Sequence, residues 1–179
     1  MVFLVKKENK DKFKLKDSYF NGFEYKGYHV RTNLVIEGQS EYKPLQFSNS
    51  AEVYNSFKKL RESDKERFYS ILLDTKNKVI GVDMVSQGSV DSSPVHPREV
   101  YKSALLSSAS SVIFVHSHPS GDPEPSVSDR EITKQLKEVG ELLGIEVLDH
   151  VIIGQGEYYS FADKDELWAE KRDFPLKSK

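Results

Sequence analysis

Residues 111–129 read "SVIFVHSHPSGDPEPSVSD", and the reading of the fold turns on them. The apolar run "VIFV" (112–115) lies between two helical patterns, which predicts a buried, central strand over 111–118. Side chains at i and i+2 of a strand share a face. His116 and His118 are therefore expected to converge while Ser117 points away. Three prolines and a glycine then turn the chain back towards a helix start. Such a turn needs glycine and proline, but it has no need of two histidines.

The patterns on either side build a mixed sheet around that strand. Upstream, "ERFYSILLDTKNKVIGVDMVSQGS" (66–89) predicts a hairpin with a strand ending at Asp74, a "TKNK" turn, and a second strand from Val79 to about Ser86. "SNSAEVYNSFKKLRES" (48–63) predicts a helix capped by Ser48 or Ser50, with Val53, Phe57 and Leu60 at helical spacing. "HPREVYKSALLSSA" (96–109) predicts a second helix with Pro97 in its first turn and Val100, Ala104 and Leu105 on its apolar side.

Downstream, "SDREITKQLKEVGELLG" (128–144) predicts an amphipathic helix burying Ile132, Leu136, Val139 and Leu143, closed by Gly144. Two further strands are expected over 145–154 and 157–162. Strands alternating with helices place the chain in the α/β (α+β) class, a mixed β-sheet flanked by helices. Residues 50–162 then form a single domain. Residues 1–49 are a lysine-rich extension with short strands over 23–38, and 163–179 are a charged tail that ends in a short helix.

Bulk numbers narrow the function. The 179 residues suit one domain, and the formal net charge of -2 gives no general pull towards nucleic acid or anionic membranes. There is no cysteine, so disulfides, thiolate metal sites and cysteine nucleophiles are excluded. No apolar run reaches the roughly 20 residues of a membrane span, and the start lacks the pattern of a signal peptide. A cytoplasmic location without membrane association is expected.

The histidine pair admits two chemistries. Asp129 falls in the first turn of the helix after the loop, so His116, His118 and Asp129 can offer three ligands to a metal, leaving one position for water. "S-V-S-D" (126–129) equally fits a capping box, with Ser126 as cap and Asp129 three residues on; "S-D-R-E" (128–131) is a second such candidate. Spacing alone leaves ligation and capping both open. Asp149–His150 lies in an expected buried strand, which suits a satisfied core histidine or a partner behind the metal ligands. His96 belongs with the helix start, and His29 has no chemical neighbour.

The run from His116 to Asp129 has the form H-x-H, seven residues, S-x-x-D. It resembles the signature of the JAMM (MPN-plus) metalloprotease family, and "HSHPSGDPEPSVSD" is more specifically similar to its RadC-type branch. The runs "VHPREVYKSAL" (95–105), "LGIEVLDHVIIG" (143–154) and "EYYSF" (157–161) agree with that branch in the expected order, over about residues 50–162. The resemblance implies a JAB/MPN-like, cytidine-deaminase-like domain with Zn2+ as cofactor. It implies His116, His118 and Asp129 as zinc ligands, and Ser126 beside the metal as a donor to an oxyanion. It also requires an upstream glutamate as general base. Glu66 occupies the matching place, with Glu99 the rival and Glu62 a weaker one.

Two functions follow from the resemblance. One is a zinc-dependent hydrolase, a metallopeptidase or isopeptidase-like enzyme acting on a peptide or protein substrate. The other is a non-catalytic binding or DNA-repair-associated accessory module of the same fold. Contact with nucleic acid rests on the family's association alone. Residues 1–49 are too short and strand-like for the helix-hairpin-helix region found upstream in such proteins.

Overall fold

A computed structural model describes residues 13–14, 24–25, 46–88 and 95–167. The chain divides into two units, Met1–Ser40 and Glu41–Lys179. In the first, β1 (Phe13–Lys14) pairs antiparallel with β2 (Glu24–Tyr25), Phe13 facing Tyr25. Most of the expected 1–49 extension, including His29, and residues 168–179 of the tail lie outside the described residues.

The second unit opens with helix α1 (Ser50–Phe57), which tightens into a 3-10 turn over Lys58–Glu62. The expected helix over 48–63 is thus α-helical only in its first half. Its cap is Asn49, not Ser48 or Ser50. Asn49 holds the extended backbone that a cap requires, and its side chain accepts the Glu52 N–H at 2.9 Å. Ser50 is already helical, and its hydroxyl donates to Asp163.

The hairpin forms as expected, from β3 (Glu66–Leu73) and β4 (Val79–Gly88). Asp74 ties its turn by accepting the Lys76 and Lys78 N–H groups at 2.8 and 2.9 Å. Helix α2 (Pro97–Leu106) follows with proline at its start and His96 at the cap position. Then come β5 (Ser111–Ser117), α3 (Val127–Leu143), β6 (Glu146–Ile153) and β7 (Tyr158–Ser160). Beyond β7 the chain turns over 161–165, so the last strand is shorter than the expected 157–162.

The five strands of this unit lie in the order β4-β3-β5-β6-β7, with β5 in the middle. β5 pairs antiparallel with β3 and parallel with β6. The parallel step follows from the connection, because α3 carries the chain back to the same end of the sheet. Every residue of β5 is buried, as a strand covered on both faces demands.

Strand alternation sorts β5 between two cores. Ile113 and Val115 pack with Val53 of α1, and Val112 and Phe114 pack with Val100, Tyr101 and Leu136 of α2 and α3. Counting on by two from Phe114 puts His116 and His118 on the α2/α3 face. Counting back from Phe68 in β3, which sits opposite His116, puts Glu66 on that face too.

Helix α3 buries a different stripe from the one its apolar residues suggest. Asp129, Thr133, Leu136 and Gly140 face inward, Ile132 and Val139 flank them, and Leu143 is 41% exposed. A Cβ on Gly140 would stand 2.6 Å from both the Ile145 carbonyl and the Tyr101 hydroxyl, so glycine permits a close approach there. Turning α3 towards that contact also turns Asp129 towards β5. Gly144 ends the helix in the left-handed conformation at φ 68°, as expected.

Candidate metal centre

The centre gathers where β5 runs out. His116 is its penultimate residue, lying between Phe68 of β3 and Ile152 of β6. His118 follows the strand, but its N–H still donates to the Ile153 carbonyl at 3.1 Å. That bond keeps the pleat running and holds the two imidazoles on one face. Their ring centroids are 4.8 Å apart and the planes nearly perpendicular at 88°.

The proline-rich loop is braced from beneath. Gly121 adopts φ 85°, and its carbonyl accepts the Gln155 N–H at 2.7 Å. A Cβ on Gly154 would lie 2.5 Å from the Gly121 carbonyl and 2.7 Å from Pro123 Cδ, so only glycine fits under the loop. Within it, His118 Nδ1 lies 2.7 Å from the Asp122 carbonyl. A carbonyl only accepts, so Nδ1 carries the proton and Nε2 presents its lone pair.

The loop ends in the capping box that the sequence offered as the competing reading. Ser126 Oγ accepts the Asp129 N–H at 3.1 Å, and Asp129 Oδ2 accepts the Ser126 N–H at 2.8 Å and its hydroxyl at 2.5 Å. The two readings do not compete, because the same carboxylate also meets both histidines. Asp129 Oδ1 is 3.2 Å from His116 Nδ1, and Oδ2 is 3.4 Å from His118 Nε2. On the other side of the His116 ring, Glu66 Oε2 is 3.8 Å from Nε2.

Glu66, His116 and His118 each bring one donor atom within 4.8 Å of the others, a grouping able to hold a metal ion. Asp129 adjoins that group. Bonds of about 2.0 Å to a tetrahedral zinc set neighbouring donors roughly 3.3 Å apart, and the two histidine–Asp129 separations bracket that value. The donor set of imidazole and carboxylate therefore fits a divalent metal such as zinc in kind.

The electrostatics also favour a cation. Burial alone would lower the pKa of His116, but Asp129 and Glu66 outweigh burial and raise it to about 9. Burial works to raise Asp129, yet His116, His118 and Ser126 hold its carboxyl well below the usual range. Two carboxylates around two imidazoles thus ask for positive charge, which a proton or a metal can supply.

The other sequence candidates stand elsewhere. Glu99 is half-exposed on α2 beside Arg98 and Lys102, and Glu62 is exposed in the 3-10 turn. The Ser126 hydroxyl is at the site, donating to Asp129. Asp149 faces away, accepting the His150 and Ala162 N–H groups and the Ser160 hydroxyl. Burial raises its pKa to about 6 against the pull of those bonds.

His150 is fully buried; burial, reinforced by His116, lowers its pKa to about 3 and keeps it neutral. Sequence reasoning passed over Thr133, whose hydroxyl lies 2.5 Å from the Asp129 carbonyl and 2.7 Å from His150 Nδ1. Its signal was its place one helical turn after Asp129 on the same face.

Residues 47–167 match the family model of the RadC-like JAB domain. A UPF0758 protein of Trichlorobacter lovleyi is 52% identical over 118 residues, covering 65% of this chain and 51% of that protein. A UPF0758 protein of Methanosarcina mazei is 52% identical over 130 residues, 72% of this chain and 57% of that one. One from Geotalea uraniireducens is 45% identical over 129 residues, 71% and 57% respectively. The chain spans about half the length of these curated relatives.

Proposed function

Because the chain belongs to the RadC-like JAB domain family, we propose that it is a zinc-dependent hydrolase of peptide or isopeptide bonds with Glu66 as its base. The observation that carries this reading is the convergence of Glu66, His116 and His118 within 4.8 Å, with Asp129 against both histidines. His116, His118 and Asp129 would hold the ion. Zinc bound there would supply Lewis acidity and bring the pKa of a coordinated water to about 7.

The chain's own groups divide the remaining work. Glu66 opens β3 with its side chain 30% exposed, so it reaches both the histidines and solvent. It takes a proton from the attacking water and returns it to the leaving amine. The Ser126 hydroxyl, once turned from Asp129, donates to the developing oxyanion. The bracing of 118–126 by Gly154 and Gln155 keeps the histidines and Asp129 in place while the substrate changes shape.

The test is a screen of peptide and isopeptide substrates with zinc-loaded protein, with and without chelator. Cleavage should stop with chelator and return with zinc. Glu66→Gln should keep its zinc and lose about 100-fold or more in turnover. Tight partner binding indifferent to Glu66→Gln, with no chelator-sensitive cleavage, would replace the hydrolase by the non-catalytic module.

A further inference from the structure

His150 lies beneath the metal centre without entering it. Its ring stacks on Phe161 at 5.1 Å and lies nearly parallel to His116, 6.1 Å away and tilted by 18°. Through Thr133 it also reaches Asp129. The Thr133 hydroxyl has one proton and two close neighbours, the Asp129 carbonyl at 2.5 Å and His150 Nδ1 at 2.7 Å. The carbonyl cannot donate, so the threonine proton goes to it. The remaining contact then needs a proton from the imidazole. His150 is thereby fixed as the Nδ1–H tautomer, donating to Thr133. Its Nε2 is a buried acceptor with no hydrogen-bond partner among the described residues.

We propose that His150 and Thr133 are positioning residues that set the separation of Asp129 from His116, with His150 working as the Nδ1–H tautomer. His116 rides on β5 and Asp129 on α3, and the braced loop between them fixes the ends of those elements but not the depth at which Asp129 sits against His116. His150, on the neighbouring strand β6, meets the His116 ring directly and the Asp129 turn through one hydroxyl. Phenylalanine could fill the same space but could not make that bond. The role assigned to the pair rests on the metal-centre reading above; the tautomer assignment does not.

Two measurements on the full chain test it. The first is Zn2+ affinity by competition with a chromophoric chelator, with the visible spectrum of bound Co2+ as a second readout of ligand geometry. Thr133→Val keeps the shape and removes the hydroxyl, and should weaken Zn2+ about 10- to 100-fold and alter the Co2+ bands. Thr133→Ser restores the hydroxyl and should bring both back to near the parent. The second is the ring tautomer of His150 from long-range 15N–1H correlations, expected as Nδ1–H in the parent without metal.

Parent-like Zn2+ affinity and Co2+ bands in folded Thr133→Val would overturn the positioning role. An Nε2–H tautomer in the parent would overturn the assigned hydrogen bond from His150 to Thr133. A parent that binds neither ion would sink the hydrolase reading and the positioning role with it, while the tautomer result still judges the hydrogen bond by itself.

Discussion

Replacing Asp149 by asparagine should stabilise this protein at neutral pH. Asp149 is 7% exposed, and burial lifts its pKa to about 6 from an ordinary 3.8 despite three hydrogen bonds to it. A carboxyl whose pKa is raised on folding binds its proton more tightly in the native state. Its favourable contribution is complete below about pH 4, is lost as pH rises through about 6, and stays lost above that. The shift of about two units corresponds to about 3 kcal/mol. Protonated aspartate and asparagine present the same pattern of donor and acceptor towards Ser160, His150 and Ala162, so the two should match in acid. Urea unfolding of parent and Asp149→Asn from pH 5 to 8 should show a gap that opens with pH and levels off near 3 kcal/mol. By thermal unfolding that is roughly 6–12 °C for a chain of this size. A variant less stable than the parent at pH 8, or a gap independent of pH, would refute the assignment of a buried, costly charge.

Three other outcomes follow. Gly154→Ala forces a Cβ against the backbone of Gly121 and Pro123 and should cost about 1–3 kcal/mol in chemical denaturation while weakening zinc uptake; unchanged uptake would deny that this contact braces the loop. Gly140→Ala meets the Tyr101 hydroxyl and the Ile145 carbonyl, should destabilise by a similar amount in chemical denaturation and, by shifting α3, should also weaken zinc uptake. Free Zn2+ at 100 times its dissociation constant should raise stability by about 2.7 kcal/mol in the parent. The double change His116→Ala with His118→Ala should abolish that gain in the same denaturation assay.

The sheet and most of its elements were legible because their signals are local. The apolar run of β5, the hairpin turn, Pro97 at the start of α2 and Gly144 at the end of α3 each act within a few residues. The inner face of α3 was not legible, because apolar spacing favours Leu143 and says nothing of the pull from Asp129 and the close approach at Gly140. The α1 cap was misplaced because serine and asparagine cap alike, and only the backbone at Asn49 separates them. At the centre, strand parity brought the two histidines together on paper. Whether Asp129 caps or ligates could not be decided from spacing, since one carboxylate has lone pairs for both tasks. Thr133 was not legible because its partner, His150, comes from a different element, strand β6.

The sheet order also sets the sequence of events when the chain folds. Glu66 meets His116 only after β3 pairs with β5, across the whole of β4 and α2. Asp129 meets the histidines only when α3 docks. The first is a long-range closure, the kind that makes folding slow, whereas the second spans only the loop between β5 and α3. The complete centre is accordingly expected to form only once β3 has paired with β5. A cation that recognises it should leave the refolding rate nearly unchanged and act by slowing unfolding, so that metal confers persistence rather than speed.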